Sequence, residues 1–161
     1  LWFQNRSLEI EYIAFEPSPL EFSFLKNNIL NHEAHQVALW NKDEVIRFFV
    51  SSQNADSSLI QPKKFNEIID VKAIKLEHYV TSKIKLLKLE AEGAELEVLL
   101  GLDKKIHSIE YIAADLGPER GVDSQSTFLP VKEFLEGKNF SMINKNDHRF
   151  TALFRNNIDQ V

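Results

Sequence analysis

Short apolar runs and helix-like stretches take turns along this chain, and that alternation narrows its folding more than any other feature. Strands separated by covering helices build α/β sheets that are buried on both faces. Residues 9–15 (EIEYIAF) are β-rich and run into Glu16-Pro17-Ser18-Pro19, where the prolines end a central strand. Residues 20–30 carry Leu20, Phe24, Ile29 and Leu30 near helical spacing, with Glu21 and Lys26 outside, and Pro17 or Pro19 suits the first turn. Strands are expected at 35–40 (HQVALW), 45–51 (VIRFFVS), 71–76 (VKAIKL) and 84–89 (IKLLKL), the last dense enough in aliphatics to be central. A polar loop, SSQNADSS, closes the second of these. A helix over 92–102 stops at Gly101, a strand follows at 109–116, and a helix over 129–135 stops at Gly137. Residues 140–143 and 149–155 complete the chain as an antiparallel pair around Asn144-Lys145-Asn146-Asp147. With 161 residues and no repeat or linker, the expectation is one domain over 1–161.

Composition excludes several classes of function. The chain has no cysteine, which removes disulfides, thiolate zinc sites and cysteine nucleophiles together. Its net charge is -5 with no basic block, so no nucleic-acid partner is expected. No apolar run approaches the ~18 residues of a membrane span, and the opening LWFQNRSLEI shows no signal-peptide pattern. The expectation is a cytoplasmic protein without a membrane partner. The chain opens on Leu1 rather than Met, so a start upstream is expected. All five glycines lie at position 93 or later, so a glycine-rich nucleotide loop near the start is not encoded here.

Two segments carry candidate chemistry. In Phe15-Glu16-Pro17-Ser18-Pro19, an acid at the carboxyl end of an early strand can accept hydrogen bonds from both ribose hydroxyls of a nucleotide. Such an acid follows its glycine loop by ~20 residues, which puts that loop at or just before residue 1. The plainer reading is that Glu16 caps the next helix, and both readings stand. The second segment is Lys85-Leu86-Leu87-Lys88-Leu89-Glu90-Ala91-Glu92-Gly93-Ala94-Glu95. Ligands of open α/β sheets bind at the carboxyl ends of strands, which is where Glu90 and Glu92 fall. Three carboxylates so close together call for a cationic partner or a raised pKa. Lys88, two residues before Glu90, shares its face of the strand. The plainer reading assigns Glu92 and Glu95 to helix N-terminal charge, and for Glu95 it is preferred.

IAFEPSPLEFSFLKNNI, VALWNKDEVIRFFV followed by NADSSLI, and IKLEHYVTSKIKLLKLEAEGAELEVLLGL occur in order and at suitable spacing. Together they resemble the FkbM family of S-adenosylmethionine-dependent methyltransferases over nearly the whole chain. That pattern has E-P-x-P after strand two, a Ser-Ser-Leu stretch, and K-x-D-x-E-G-x-E at strand four. Asp115-Leu116-Gly117-Pro118-Glu119-Arg120 and RFTALFRN resemble later segments of the family. The chain departs from the pattern twice: the first strand and its glycine loop are missing, and Glu90 stands where the family has Asp.

The resemblance implies a Rossmann-like class I methyltransferase sheet with helices on both faces, its first strand missing, and a C-terminal antiparallel strand pair. It implies S-adenosylmethionine as cofactor, with Glu16 on the ribose, Pro17 beside it, and Ala38 and Leu39 near the adenine. Lys88, Glu90, Glu92 and Asp115 then line the rim where the acceptor hydroxyl meets the methyl sulfonium. The implied reaction is O-methylation of a sugar or another polar small molecule, in which positioning does most of the work. The base is Glu90, Asp115 or a water. A homo-oligomer is compatible with this reading. The alternative is a non-catalytic domain or fragment that keeps the fold for a structural or interaction role.

Other residues offer less. His32 and His35 have the one metal-like histidine spacing, and at a helix–strand junction they are expected to face solvent. Ser57 and Ser58 lack a glycine elbow, which argues against a hydrolase. The phenylalanines read as core, with Phe48 and Phe49 putting one ring on each face of a strand.

Overall fold

A computed structural model describes residues 10–28, 32–51 and 57–158. Residue 9 of the first expected strand, residues 29 and 30 of the first expected helix, and 52–56 of the polar loop lie outside it. The architecture is mixed α/β. In chain order it runs β1 (Ile13–Phe15), α1 (Pro19–Asn28), β2 (Glu33–His35), β3 (Ala38–Leu39), β4 (Glu44–Val50) and β5 (Glu67–Ile74). It continues with β6 (Ile84–Leu89), α2 (Glu95–Leu100), β7 (Ile109–Asp115), α3 (Phe128–Gly137), β8 (Phe140–Asn146) and β9 (Thr151–Asn156).

The strands fall into three sheets. The largest has the order β6-β7-β9-β8, with β6 and β7 parallel and the other pairings antiparallel. The expected C-terminal antiparallel pair is therefore present. β1 and β2 form a parallel pair, and β5 lies between β3 (parallel) and β4 (antiparallel). The expected 35–40 strand is in fact two strands, because Gln36 and Val37 separate β2 from β3 and each joins a different sheet. The expected 71–76 strand starts earlier, at Glu67, because all seven residues of β4 find partners between Glu67 and Ala73.

The main core forms where α2 and α3 cover the four-stranded sheet. Leu99, Leu102, Ile106, Ile112, Leu135 and Phe154 are sealed from solvent there. α3 is amphipathic, and Val131 and Leu135, four residues apart, supply its buried stripe. Its first turn is held by Ser126, whose Oγ accepts the Phe128 N–H at 3.2 Å and donates to Leu116 O at 2.7 Å. α2 ends just before Gly101, as expected. A Cβ on Gly101 would lie 2.2 Å from Trp40 O, so the glycine allows the chain after β3 to approach α2. A smaller core of Ala38, Phe48, Val71 and Ala73 lies under the β3-β5-β4 sheet.

Three expectations need correction. The Leu20–Phe24 stripe of α1 does not face the core: Leu20 is 62% and Phe24 59% exposed, and no residue of α1 is buried. Periodicity identifies an apolar face but not what covers it, and nothing among the described residues does. The turn between β8 and β9 is Asp147–Phe150 rather than 144–147, because β8 continues through a register shift between Met142 and Asn144. His32 and His35 are packed rather than facing solvent. His32 stacks on Tyr12 at 3.8 Å, and His35 sits 5.5 Å from the Phe15 ring and 4.6 Å from that of Tyr79. No helix among the described residues is long and apolar enough to cross a membrane.

Candidate active site

The candidate site lies where parallel strands end. Pairing of Leu89 with Ala114 in the β6–β7 register sets Glu90, the first residue past β6, beside Asp115, the last residue of β7. Neighbouring strands are ~4.8 Å apart, so these two carboxylates share one edge. Lys88 and Glu90 do meet on one face of the strand, with Lys88 Nζ 2.7 Å from Glu90 Oε1. Both are exposed, so this pair tunes charge rather than stability. Asp115 is half-buried, and its Oδ1 accepts the Gly117 N–H at 3.2 Å. Its Oδ2 accepts no hydrogen bond among the described residues.

Glu16 leaves the carboxyl end of β1. Its backbone N–H donates to His35 O at 3.1 Å, so the β1–β2 pairing sets its position. Its Oε1 accepts the Ser18 N–H at 2.8 Å, and Oε2 accepts none among the described residues. Glu16 thus holds the N–H of the residue just before α1, as the helix-capping reading expects. Ser18 Oγ donates to Glu21 Oε2, and Ser18 O accepts the Phe22 N–H at 2.9 Å as the first bond of the helix. Burial raises the pKa of Glu16 above the usual carboxylate value, the Ser18 N–H opposes this, and the charge of Glu21 adds to it. Pro17 is half-buried next to it. Ala38 is fully buried, and its side chain belongs to the smaller core opposite Ala73. Leu39 is half-buried against the main core.

The turn between β6 and α2 is the most strongly held part of the site. Glu92 has φ +48 and Gly93 φ +93, two consecutive residues in a region that L side chains rarely adopt. Four hydrogen bonds fix them there. Glu95 Oε1 accepts the N–H of Ala91 at 3.1 Å and of Gly93 at 3.0 Å. Ser58 Oγ donates to Glu92 O at 2.7 Å, and Arg120 Nη1 to Gly93 O at 2.6 Å. Arg120 also grips Glu97 through both terminal nitrogens, at 2.8 and 2.7 Å. That grip raises the pKa of the guanidinium further. Glu95 is therefore a structural residue: it sits in the first turn of α2, as expected, and also holds the turn before the helix. A strained turn persists only where its surroundings over-determine it, and such turns cluster at functional sites.

Glu92 borders an open cleft of about 700 Å³ that Lys63, Lys64, Phe65, Glu119 and Ser124 also line. Sequence reasoning missed Arg120, Ser58 and the cleft lysines. Arg120 stood in a segment already singled out, but nothing in the sequence pairs it with Glu97. Among the described residues no group of histidines and carboxylates is arranged to hold a metal.

The family of the Methyltransferase FkbM domain matches residues 2–142. This chain belongs to the FkbM methyltransferase family. A relative, Methyltransferase 1 of Beauveria bassiana, is 27% identical over 172 residues, covering 88% of this chain and 67% of its own length. The crystal structure of Methyltransferase FkbM from Methylobacillus flagellatus aligns with a TM-score of 0.59 at 14% identity, over 90% of this chain. At that identity the likeness is one of fold. The FkbM chain described here spans 36% of the length of that structure.

Proposed function

We propose that this chain is the catalytic part of an S-adenosylmethionine-dependent O-methyltransferase that acts on a hydroxyl of a sugar or another polar small molecule. The observation that carries this reading is that carboxylates stand at the carboxyl ends of parallel strands: Glu16 just after β1, Glu90 just after β6 and Asp115 as the last residue of β7. Glu16 fits the ribose diol, because it is half-buried and has one oxygen without a partner among the described residues. Ala38 does not fit as a side-chain contact, since it is sealed in the smaller core. Leu39 and Pro17 are half-buried and suit an apolar edge.

When bound, S-adenosylmethionine supplies a methyl group on a sulfonium, and an O–C bond forms as the C–S bond breaks with its electron pair left on sulfur. Asp115 is the better base. Its Oδ2 accepts nothing among the described residues, whereas Glu90 is taken by Lys88. Asp115 takes the hydroxyl proton as the oxygen loses it. Glu92, held rigidly at the cleft mouth, orients the acceptor, and such positioning provides much of the rate in a displacement of this kind. We read the β1–β2 pair and the four-stranded sheet as two parts of one Rossmann-like sheet.

The edge of β6 favours a second reading, a non-catalytic domain. β6 pairs with β7 alone among the described residues, and Leu86 at its edge is 48% exposed. A test is transfer of radiolabelled methyl from S-adenosylmethionine to a panel of sugars and polyols. Activity that falls about a hundredfold or more in Asp115→Asn, within the range of general-base loss, supports the enzyme. Full activity in Asp115→Asn removes it as base, and no transfer to any acceptor favours the second reading.

A further inference from the structure

The cleft beside Glu92 opens between the 62–66 segment, which lies between β4 and β5, and the 118–124 segment that follows β7. It adjoins both strand ends that carry the candidate carboxylates. Glu92, a lining residue, is two positions past Glu90 at the end of β6. Glu119, another lining residue, flanks Gly117 together with Asp115. A Cβ built on Gly117 would stand 3.1 Å from Glu119 Oε1 and 3.5 Å from Asp115 Oδ1. The cleft therefore starts one side chain away from the Asp115 carboxylate. Its walls are also tied to one another. Ser58 Oγ donates to Glu92 O at 2.7 Å, which fastens the chain ahead of the 62–66 segment to the β6–α2 turn. Arg120, within the 118–124 segment, donates to Gly93 O and exchanges backbone hydrogen bonds with Gln125 at 3.0 and 2.9 Å. A cleft held in this way is largely formed before a ligand arrives, as ligand sites usually are.

Size and chemistry then say what it takes. A cavity of ~150 Å³ holds one benzene ring, so a cleft of about 700 Å³ holds more than one ring and leaves a single sugar mostly surrounded by water. Two lysines, Lys63 and Lys64, line it as donors, and two glutamates line it as acceptors. The signs balance, so a charge on the ligand is opposed by one pair as much as it is drawn by the other. A hydroxyl answers both kinds of partner, because it donates and accepts. Phe65 supplies apolar surface. Its ring meets Phe49 edge to face at 5.2 Å and is still 38% exposed, so it is held from one side and open on another. An open aromatic ring among mixed donors and acceptors suits the apolar face and hydroxyl rim of a sugar ring.

We propose that the acceptor is a neutral oligosaccharide of two or more rings, bound in this cleft with the ring to be methylated at the Glu119 end, toward Asp115, and a further ring on Phe65. This rests on the methyl-transfer reading for the ligand's role as acceptor, while the cleft's preference for a neutral chain of several rings does not.

The test is binding to a printed array of neutral oligosaccharides of one to four rings, with hexuronate- and hexosamine-bearing versions beside them, followed by calorimetric titration of the best-bound series at each length. The expected result is an affinity that rises on the order of tenfold from one ring to two or three, with the charged versions no tighter than the neutral ones. Phe65→Ala loses that gain and leaves binding of the single ring unchanged, because only the further ring meets Phe65. Lys64→Ala removes an exposed donor without touching the core, and it weakens the longer chain several-fold, so it decides the matter should Phe65→Ala lose its fold. Phe24→Ala, on the exposed face of α1, leaves binding unchanged. The proposal is overturned if no oligosaccharide on the array binds more tightly than its single ring, if a charged series binds several-fold tighter than its neutral counterpart, or if either cleft variant keeps the full gain with length. Transfer of radiolabelled methyl from S-adenosylmethionine to the same oligosaccharides separates the two readings. Length-dependent binding without transfer removes the methyl-transfer reading and leaves the cleft standing as a glycan site. Transfer to single rings with no gain from length removes this proposal alone.

Discussion

Gly93→Ala is the substitution to which the β6–α2 turn is most sensitive. Two costs combine at this position. The backbone has φ +93, where an L side chain is strained, and left-handed conformations cost ~1–2 kcal/mol. The new Cβ would lie 2.6 Å from Arg120 Cα and 3.0 Å from Arg120 N, both backbone atoms that cannot swing aside. Overpacking of this sort costs ~1–3 kcal/mol. The expected loss is about 2–5 kcal/mol, a large share of the roughly 5–15 kcal/mol that holds a typical domain together. Urea denaturation followed by circular dichroism measures it. With a slope of ~1–3 kcal/mol/M, the midpoint moves down by about 1 M or more. Gly93→Asn tolerates the dihedral better but keeps the clash, so it recovers only part of the loss. Gly137→Ala is the control. Its Cβ would meet nothing within 4 Å at the end of α3, and alanine there is neutral or stabilising by up to ~1 kcal/mol. A Gly93→Ala midpoint within error of the parent would refute the clash with Arg120 and the picture of a turn fixed from four sides.

Two further substitutions probe the scaffold. Thr127 Oγ1 is buried without a partner among the described residues, so Thr127→Val removes an unsatisfied hydroxyl of the same shape and stabilises by about 1 kcal/mol, seen as a higher melting temperature. Asp43 has its pKa held below the usual carboxylate value, first by the Lys75 N–H at 2.8 Å and then by His78 at 2.7 Å. A depressed folded pKa contributes stability that is complete above the ordinary aspartate value and disappears as pH falls through the folded one. Asp43→Asn therefore flattens the acid limb of a stability-versus-pH curve, and an unchanged limb would count against this assignment.

The parts of the fold that could be read from the sequence are those fixed by local pattern. The 84–89 strand matches β6 end to end, because its run of aliphatics is flanked by polar residues on both sides. Strand 109–116 and the helix near 129–135 follow for the same reason. What failed depended on partners. The α1 stripe looked like core and faces outward, since periodicity cannot show whether a neighbour covers it. The break between β2 and β3 depends on which sheet each strand joins, and two intervening residues, Gln36 and Val37, do not announce it. Asn144-Lys145-Asn146-Asp147 has turn composition, but three of those residues pair with β9, while the left-handed position of the true turn holds a phenylalanine.

The candidate site divides in the same way. Carboxylates at strand ends were visible because strand ends were visible. Ala38 was assigned through the family resemblance, at the end of a strand, and its side chain turns into the smaller core, because alternation within a two-residue strand is too short to read. The network that holds Glu92, from Glu95, Ser58 and Arg120, joins residues 3, 34 and 28 positions away from it. No local pattern encodes such contacts.

The most direct test of the account is calorimetric titration of S-adenosylmethionine into this protein and into Glu16→Ala and Glu16→Gln, repeated across the acid range. The account predicts binding that is lost in both variants. It also predicts that parent affinity falls as pH drops through the raised Glu16 pKa, because the ribose hydroxyls donate to the ionised carboxylate. Binding that is unchanged in both variants, or no binding to the parent at any pH, would contradict it and leave a methyltransferase fold without this cofactor site.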